Sequence, residues 1–414
     1  MWSLHLNCEP GGKKIAGALG VTVALGVASG CGGGGAGYGA ATAPVPTPSP
    51  SPSPSPSPTP TPVPAPASTV VSASCEYVDV SAALNRSGLG TTIQIPAGDC
   101  NWGTAQLSVP AGIFVQGAGR DATTIRRQGR VSNTNFLVAF DCSNGLRASF
   151  AGIALVGNGN GTIEDNGLGL LNGCSDFAVF DSQFSNFTFS GLYVGNAPGE
   201  RGVIYNNNFI NNFSASLANL GYGVVVYGGG AWPALSLGSQ NAVFVEDNFF
   251  SGNRHNIASN NGSQYVFRHN AVVGQDAAKD YAMTDAHGLS SSPRGSRSYE
   301  IYENQYTTNL SSGLQRAAIG IRGGDGVIFN NTASDAIART IELTVEGFSC
   351  GAYPGPDQIR VLYIWNVSPN PGNIFSQNGV ANDCPASVQL GRDYFLQEMP
   401  GYIPYMYPHP LRGR

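Results

Sequence analysis

The sequence predicts an all-β protein built as a single-stranded, right-handed parallel β-helix, a solenoid with looped-out insertions. The first observation behind this is a recurring phrase: a short apolar run, a polar pair, an Asn, then another apolar residue. It reads VIYNNNF at 203–209, VFVEDNFF at 243–250, YVFRHNAV at 265–272, YEIYENQY at 299–306 and GVIFNNT at 326–332, with a fainter FAVFDSQF at 177–184. Each copy is too short to bury its own apolar face, so the copies must stack, and the repeated Asn should form a ladder of amides along the stack. The second is the Val, Ile, Phe and Tyr content of the runs, which is that of strands. The third is composition: 56 glycines and only 11% charged residues suit a tightly turning coil.

Taken in order, residues 1–31 read as an export signal, with Lys13 and Lys14 before an apolar stretch and Ala28-Ser29-Gly30 before Cys31. This resembles a bacterial lipoprotein signal, which implies lipidation of Cys31, although Ala28 stands where that family usually has Leu. Residues 32–73 are Gly-rich, then Pro alternating with Ser, Thr, Val or Ala, an extended spacer that pairs in no sheet. The expected β-helix domain is 74–414. The expected location is the outside of a bacterium, at the cell surface or outer membrane, touching a membrane only through the lipid, as a monomer. A formal net charge of −5 gives no reason to expect nucleic acid.

An even number of cysteines in an exported chain reads as disulfides. Neighbours in a solenoid are close in sequence, so the expected pairs are Cys75–Cys100, Cys142–Cys174 and Cys350–Cys384.

Residues 91–125 read TTIQIPAGDCNWGTAQLSVPAGIFVQGAGRDATTI. A strand leading into PAG, another strand, then GxG and TxI is similar to the opening of the pectate-lyase-like superfamily of right-handed β-helices. The closing PGYIPYMYPHPLRGR resembles the tails of secreted bacterial β-helix proteins. The resemblance implies the fold and a carbohydrate-active setting, but that superfamily holds lyases, hydrolases, esterases, epimerases and adhesins.

A second strand column aligns as LGLL at 168–171, GLYV at 191–194, VVVY at 224–227, HNIA at 255–258, HGLS at 287–290 and IGIR at 319–322. Steps near 23 residues read as bare coils and steps near 32 as coils with insertions. Loop 271–286 and turn 291–298 are the expected walls of a cleft.

Within 254–322 lie seven of the chain's 21 basic residues and three of its five histidines. His255 and His287 share position one of adjacent copies, about 4.8 Å apart if stacked. A lyase acting on a uronate polymer must neutralise a carboxylate, remove the acidified proton beside it and assist the leaving oxygen. Arg suits the first task and His the second. The expected catalytic set is therefore His287 as base with His255 as alternative, Arg322 as carboxylate clamp, and Asp285 to orient the ring or hold calcium. Arg297 is a second clamp, and Arg294, Arg268, Arg254, Lys279 and Tyr302 are expected to bind substrate. Strand parity leaves open that both histidines face inward. Glu246 and Arg268 should form a surface ion pair, and Phe180, Tyr205, Tyr302 and Phe329 should cover the coil's flank or stack on sugars. A hydrolase would use two of Asp285, Glu300 and Asp325. A glycan-binding adhesin would show buried histidines and paired arginines.

Overall fold

The computed structural model describes residues 68–129, 136–159, 164–195, 197–217, 220–289, 292–346, 353–368, 374–376 and 388–413. The signal, most of the spacer, Cys31, Cys350 and Cys384 lie outside these residues.

The chain winds as a right-handed parallel β-helix with three sheets. One turn runs through Thr91–Ile95 in sheet A, Gly98–Asn101 in sheet B and Leu107–Pro110 in sheet C. The next strand, Phe114–Gly117, then pairs in parallel with Thr91–Ile95. Sheet A gathers twelve strands, sheet C ten and sheet B nine among the described residues. The coil opens at Ser68–Val71, which pairs with Thr91–Ile95 and so begins inside the segment assigned to the spacer.

Inward side chains fill the lumen in columns. Phe184, Phe209 and Phe250 stack with ring centroids 5.0 and 4.8 Å apart on successive turns. All three are fully buried. The helix Tyr77–Arg86 lies at the coil's first turns, with Val80 and Ala83 buried against the core. Two expected disulfides are present, Cys75–Cys100 and Cys142–Cys174, with Cα atoms 5.7 and 5.0 Å apart.

The repeated phrase is the corner between sheets A and B. The residue just before its ladder Asn adopts the left-handed conformation: φ is 56° at Asn206, 55° at Asp247, 55° at His269, 57° at Glu303 and 51° at Asn330. This reverses the chain sharply and sends the following Asn into the interior. Asn207, Asn248, Asn270, Asn304 and Asn331 then form the expected ladder, each amide nitrogen donating to the next Oδ1 at 3.0–3.1 Å. Each of these donors also reaches a main-chain carbonyl, so the corner is fully satisfied where water cannot enter.

After the last strand of sheet A, Tyr394–Phe395, the C-terminal segment 396–413 runs over the sheet's outer face. Met399, Tyr402, Tyr405 and Leu411 pack on Tyr205, Phe244, Tyr302 and Phe329. The aromatic residues that stand two before the Asn in several phrases are thus a covered flank: Tyr302 and Phe329 stack at 4.5 Å, and Phe329 and Trp365 at 4.4 Å.

Candidate functional site

The outer face of sheet C carries the densest set of ionisable groups. Its strands stack Val225, Ala258, Asp285, Gly320 and Glu342 in one register column. Small neighbours on either side leave room above Asp285. The strand Ala282–Ala286 continues into His287, and the next strand, Ala317–Ile321, continues into Arg322. Ladder bonds from His287 N to Ser259 O and from Arg322 N to Ala286 O hold the two on consecutive turns.

Asp285 is the hub. Its Oδ2 lies 2.9 Å from His287 Nε2 and 3.9 Å from His255 Nε2. Arg322 forks onto it, with Nε 2.9 Å from Oδ1 and a terminal nitrogen 2.5 Å from Oδ2. Glu346 closes the cluster: an oxygen lies 3.1 Å from His287 Nδ1, it accepts from Gly288 N at 3.1 Å, and it pairs with Arg322. Asp285 is 2% exposed, whereas the side chains of His287 and Arg322 are 19% and 25% exposed. The charges are thus anchored from below and open on one side.

Burial favours neutral acids, but Arg322 and His287 outweigh it and hold Asp285 well below the usual carboxylate range and Glu346 below it too. For His287, burial and Arg322 oppose protonation, yet Asp285 and Glu346 prevail and raise its pKa. His255 goes the other way: burial pushes it down to about 3, with Arg254 and Arg322 adding to the effect over the opposing pull of Asp285. Its Nδ1 faces the Ala282 carbonyl at 2.5 Å, and its Nε2 is buried without a hydrogen-bond partner. The two histidines are therefore unlike: the pKa of His287 is raised and that of His255 is lowered.

Beside His255, the Tyr222 ring stacks at 5.8 Å and its hydroxyl accepts from Arg254 at 2.8 Å. Arg254 also lies 4.7 Å over the Tyr281 ring and has no acidic partner among the described residues. A shallow recess runs from His287 past Asn260 and Ala258 to Val225, between Tyr222 and Tyr227.

His287, His255, Asp285, Arg322 and Arg254 are therefore brought together. The alignment behind that expectation needs correction, however. Thr284, not the third residue of HGLS, faces Ile257 and Ile319, so the strand of this turn is 282–286 and His287 follows it. His255 opens its strand and His287 trails the next; they reach Asp285 from opposite ends rather than stacking. Loop 271–286 is likewise mostly strand, Ala271–Gln275 in sheet B and Ala282–Ala286 in sheet C, joined by a short 3-10 turn.

The remaining expected contacts are spread elsewhere. Arg268 and Glu246 pair at 2.6 Å with both side chains wholly buried under the C-terminal segment, so theirs is not a surface pair and Arg268 meets no polymer. The Arg268 guanidinium donates to Tyr302 and to the carbonyls of Tyr405 and Met406. Tyr302 is 3% exposed under the same cover. Arg297 is 6% exposed and held by Asp325 at 2.9 Å and by the Pro233 carbonyl. Arg294 forks onto Asp357 and lies 4.1 Å over Trp232. Lys279 sits in the turn before Ala282–Ala286, 3.4 Å from Asp280. Glu300 accepts from Gly238 N and Tyr402 on sheet A, so Glu300, Asp325 and Asp285 do not converge. Asp285 has both oxygens engaged by Arg322 and His287, which leaves none directed at calcium. Glu346 was absent from the expected set. Its signal was the bare-coil spacing, since it follows Arg322 by 24 residues.

Fold and site together define a parallel β-helix with a charged, open-sided cluster on one sheet. Three solved structures are similar. A protein of Geobacillus virus E2, ORF18, matches with TM-score 0.35 and 15% identity over 73% of this chain and 56% of its own. An alginate lyase from Paenibacillus sp. strain FPU-7 matches with TM-score 0.39 and 12% identity over 75% and 99%. A PL6 family alginate lyase matches with TM-score 0.30 and 12% identity over 74% and 53%. The chain thus spans only about half the length of the first and third. No family model and no curated protein matches the chain.

Proposed function

We propose that this protein is an extracellular polysaccharide lyase of the pectate-lyase-like superfamily, cleaving a uronate-containing glycan by β-elimination. The observation that carries the reading is His287, oriented by Asp285 and Glu346 and open to solvent beside Arg322 and Arg254. In the proposed step, neutral His287 turns Nε2 off Asp285 and with it takes the proton from the carbon next to the uronate carboxylate. The electron pair left behind forms a carbon–carbon double bond as the bond to the glycosidic oxygen breaks. Arg254 receives the carboxylate, because its charge is balanced by no acid among the described residues. The leaving oxygen recovers a proton from the imidazolium or from water.

A hydrolase on the same scaffold fits less well. It needs one carboxyl that keeps its proton, and both acids of the cluster are held ionised. The two disulfides fit an oxidising compartment. No helix among the described residues is long and apolar enough to cross a membrane. A lipid on Cys31, a spacer that ends before the strand Ser68–Val71 and a monomeric state complete the proposal. Fatty-acid labelling that survives Cys31→Ala would remove the anchor from it.

The deciding experiment is a screen of the purified protein against acidic and neutral polysaccharides, following ultraviolet absorbance of unsaturated products together with reducing ends. New absorbance on an acidic polymer supports the lyase. Reducing ends without absorbance move the assignment to hydrolysis. Binding with silence in both channels favours a glycan-binding protein.

A further inference from the structure

The outer face of sheet C divides sharply in character. Its earlier strands, Phe136–Asp141, Asn166–Leu171, Ser190–Gly195 and Tyr222–Tyr227, contain no lysine, arginine or histidine. Aromatic rings cover them instead, with Phe136, Phe189 and Tyr222 buried and Tyr193 and Tyr227 partly exposed. Phe136 and Tyr193 are 5.7 Å apart, Tyr193 and Tyr227 stack at 5.6 Å with planes 26° apart, and Phe189 meets Tyr222 edge-on at 5.4 Å. Later strands and their flanks carry Arg254, His255, Asp285, His287, Arg322 and Glu342. The recess beginning at His287 continues onto the aromatic half through Val225, Tyr222 and Tyr227, so the halves form one surface.

The charge of the aromatic half is neutral to negative. Asp141 ends its first strand, and the buried Glu200, whose pKa burial raises to about 7, lies near Tyr193. A homopolyuronate carries a carboxylate on every sugar. Laid across this face, each carboxylate beyond Arg254 would meet rings or acids, with no described cation to offset its loss of water. An uncharged sugar meets no such penalty, and its C–H face packs well on a rigid tyrosine ring.

Building on the lyase reading, we infer that the substrate is a mixed glycan. The uronate processed at the charged half is joined to uncharged sugars that lie on the partly exposed Tyr193 and Tyr227. Arg254, at the border, accepts the single carboxylate of the repeat.

The test compares a homopolyuronate with a polymer in which one uronate alternates with an uncharged sugar, using unsaturated-product kinetics and calorimetric binding on the full protein. The alternating polymer should have a kcat/KM at least about tenfold higher, equivalent to about 1.4 kcal/mol. Tyr227→Ala should raise KM for it by about 3–10-fold with kcat little changed, the scale of one aromatic contact. Tyr227→Phe, which keeps the ring and checks the fold, should stay near wild type. Tyr227→Arg should narrow the gap by helping the homopolyuronate. Equal or better turnover of the homopolyuronate by wild type, with Tyr227→Ala silent, overturns the inference and leaves the lyase reading intact. Failure to bind or cleave either polymer overturns both.

Discussion

On sheet A, Glu246 and Arg268 occupy facing positions on neighbouring turns, and both side chains are wholly buried. On sheet C, Asp285 and Arg322 pair across neighbouring turns with a His beside them, and Arg322 keeps 25% of its side chain in solvent. The chemical ingredients are nearly the same: acid, arginine, histidine and tyrosine on stacked strands. What differs is cover. The segment 396–413 seals the first set, with His409 over Phe244 at 4.5 Å and Tyr405 and Met406 carbonyls satisfying the guanidinium. Nothing described lies over the second. A sealed charged pair specifies where the tail docks; an open one is available for a ligand. The contrast shows that residue types alone do not mark a site in a solenoid.

The sharpest way to break this comparison is Arg268→Ala. It leaves Glu246 buried with only Arg412 and a backbone N–H for company and should cost about 3–5 kcal/mol, read as a large fall in denaturant midpoint. A variant that unfolded like wild type would mean the tail is not the seal described here. On the open side, His287→Ala should lower kcat by about 10²–10⁴-fold on the cleaved polymer while moving stability much less. If it loses stability and keeps activity, the two faces have been assigned the wrong way round.

Between these lies the shared scaffold. Replacing Cys142 and Cys174 by serine should lower stability by about 2–4 kcal/mol without touching the site, since the bridge only ties adjacent turns. Asn270→Ala should cost about 1–3 kcal/mol, because Asn248 and the backbone around it lose buried partners. Its effect should appear in hydrogen exchange at the corner between sheets A and B rather than in KM.

The smallest effect is the one with the clearest sign. The pKa of His287 is raised on folding, so its contribution to stability is fully present below about pH 6.5 and is lost as pH rises through the folded value. Catalysis by neutral His287 must increase over that same window. Activity and stability should therefore move oppositely above pH 6.5, and His287→Asn should flatten the stability change. Parallel movement would count against His287 as the base.

Several elements were legible because they are local. The Asn phrase encodes a left-handed residue followed by an inward amide, so the ladder and the A–B corner follow from a seven-residue pattern. The two described disulfides join cysteines 25 and 32 residues apart, one turn of the coil. His255, Asp285, His287 and Arg322 could be proposed as a group because turns of a solenoid bring such residues together. The strand 282–286 was misaligned because the inserted turn before it varies in length, and a slip of five residues against the preceding strand, three against the next, moves every side chain to a new place. The fate of Arg268 and Tyr302 was invisible for another reason: Arg268 is sealed by a carbonyl 137 residues away.

By itself, then, the sequence determined the repeat, the coil, its corners and the short list of ionisable residues, because each depends on spacing within one or two turns. Which arginine is paired, which histidine is charged and which face is open were decided only by the tertiary structure. Those properties depend on burial and on distances between segments far apart in the chain, and neither has a signature in local spacing.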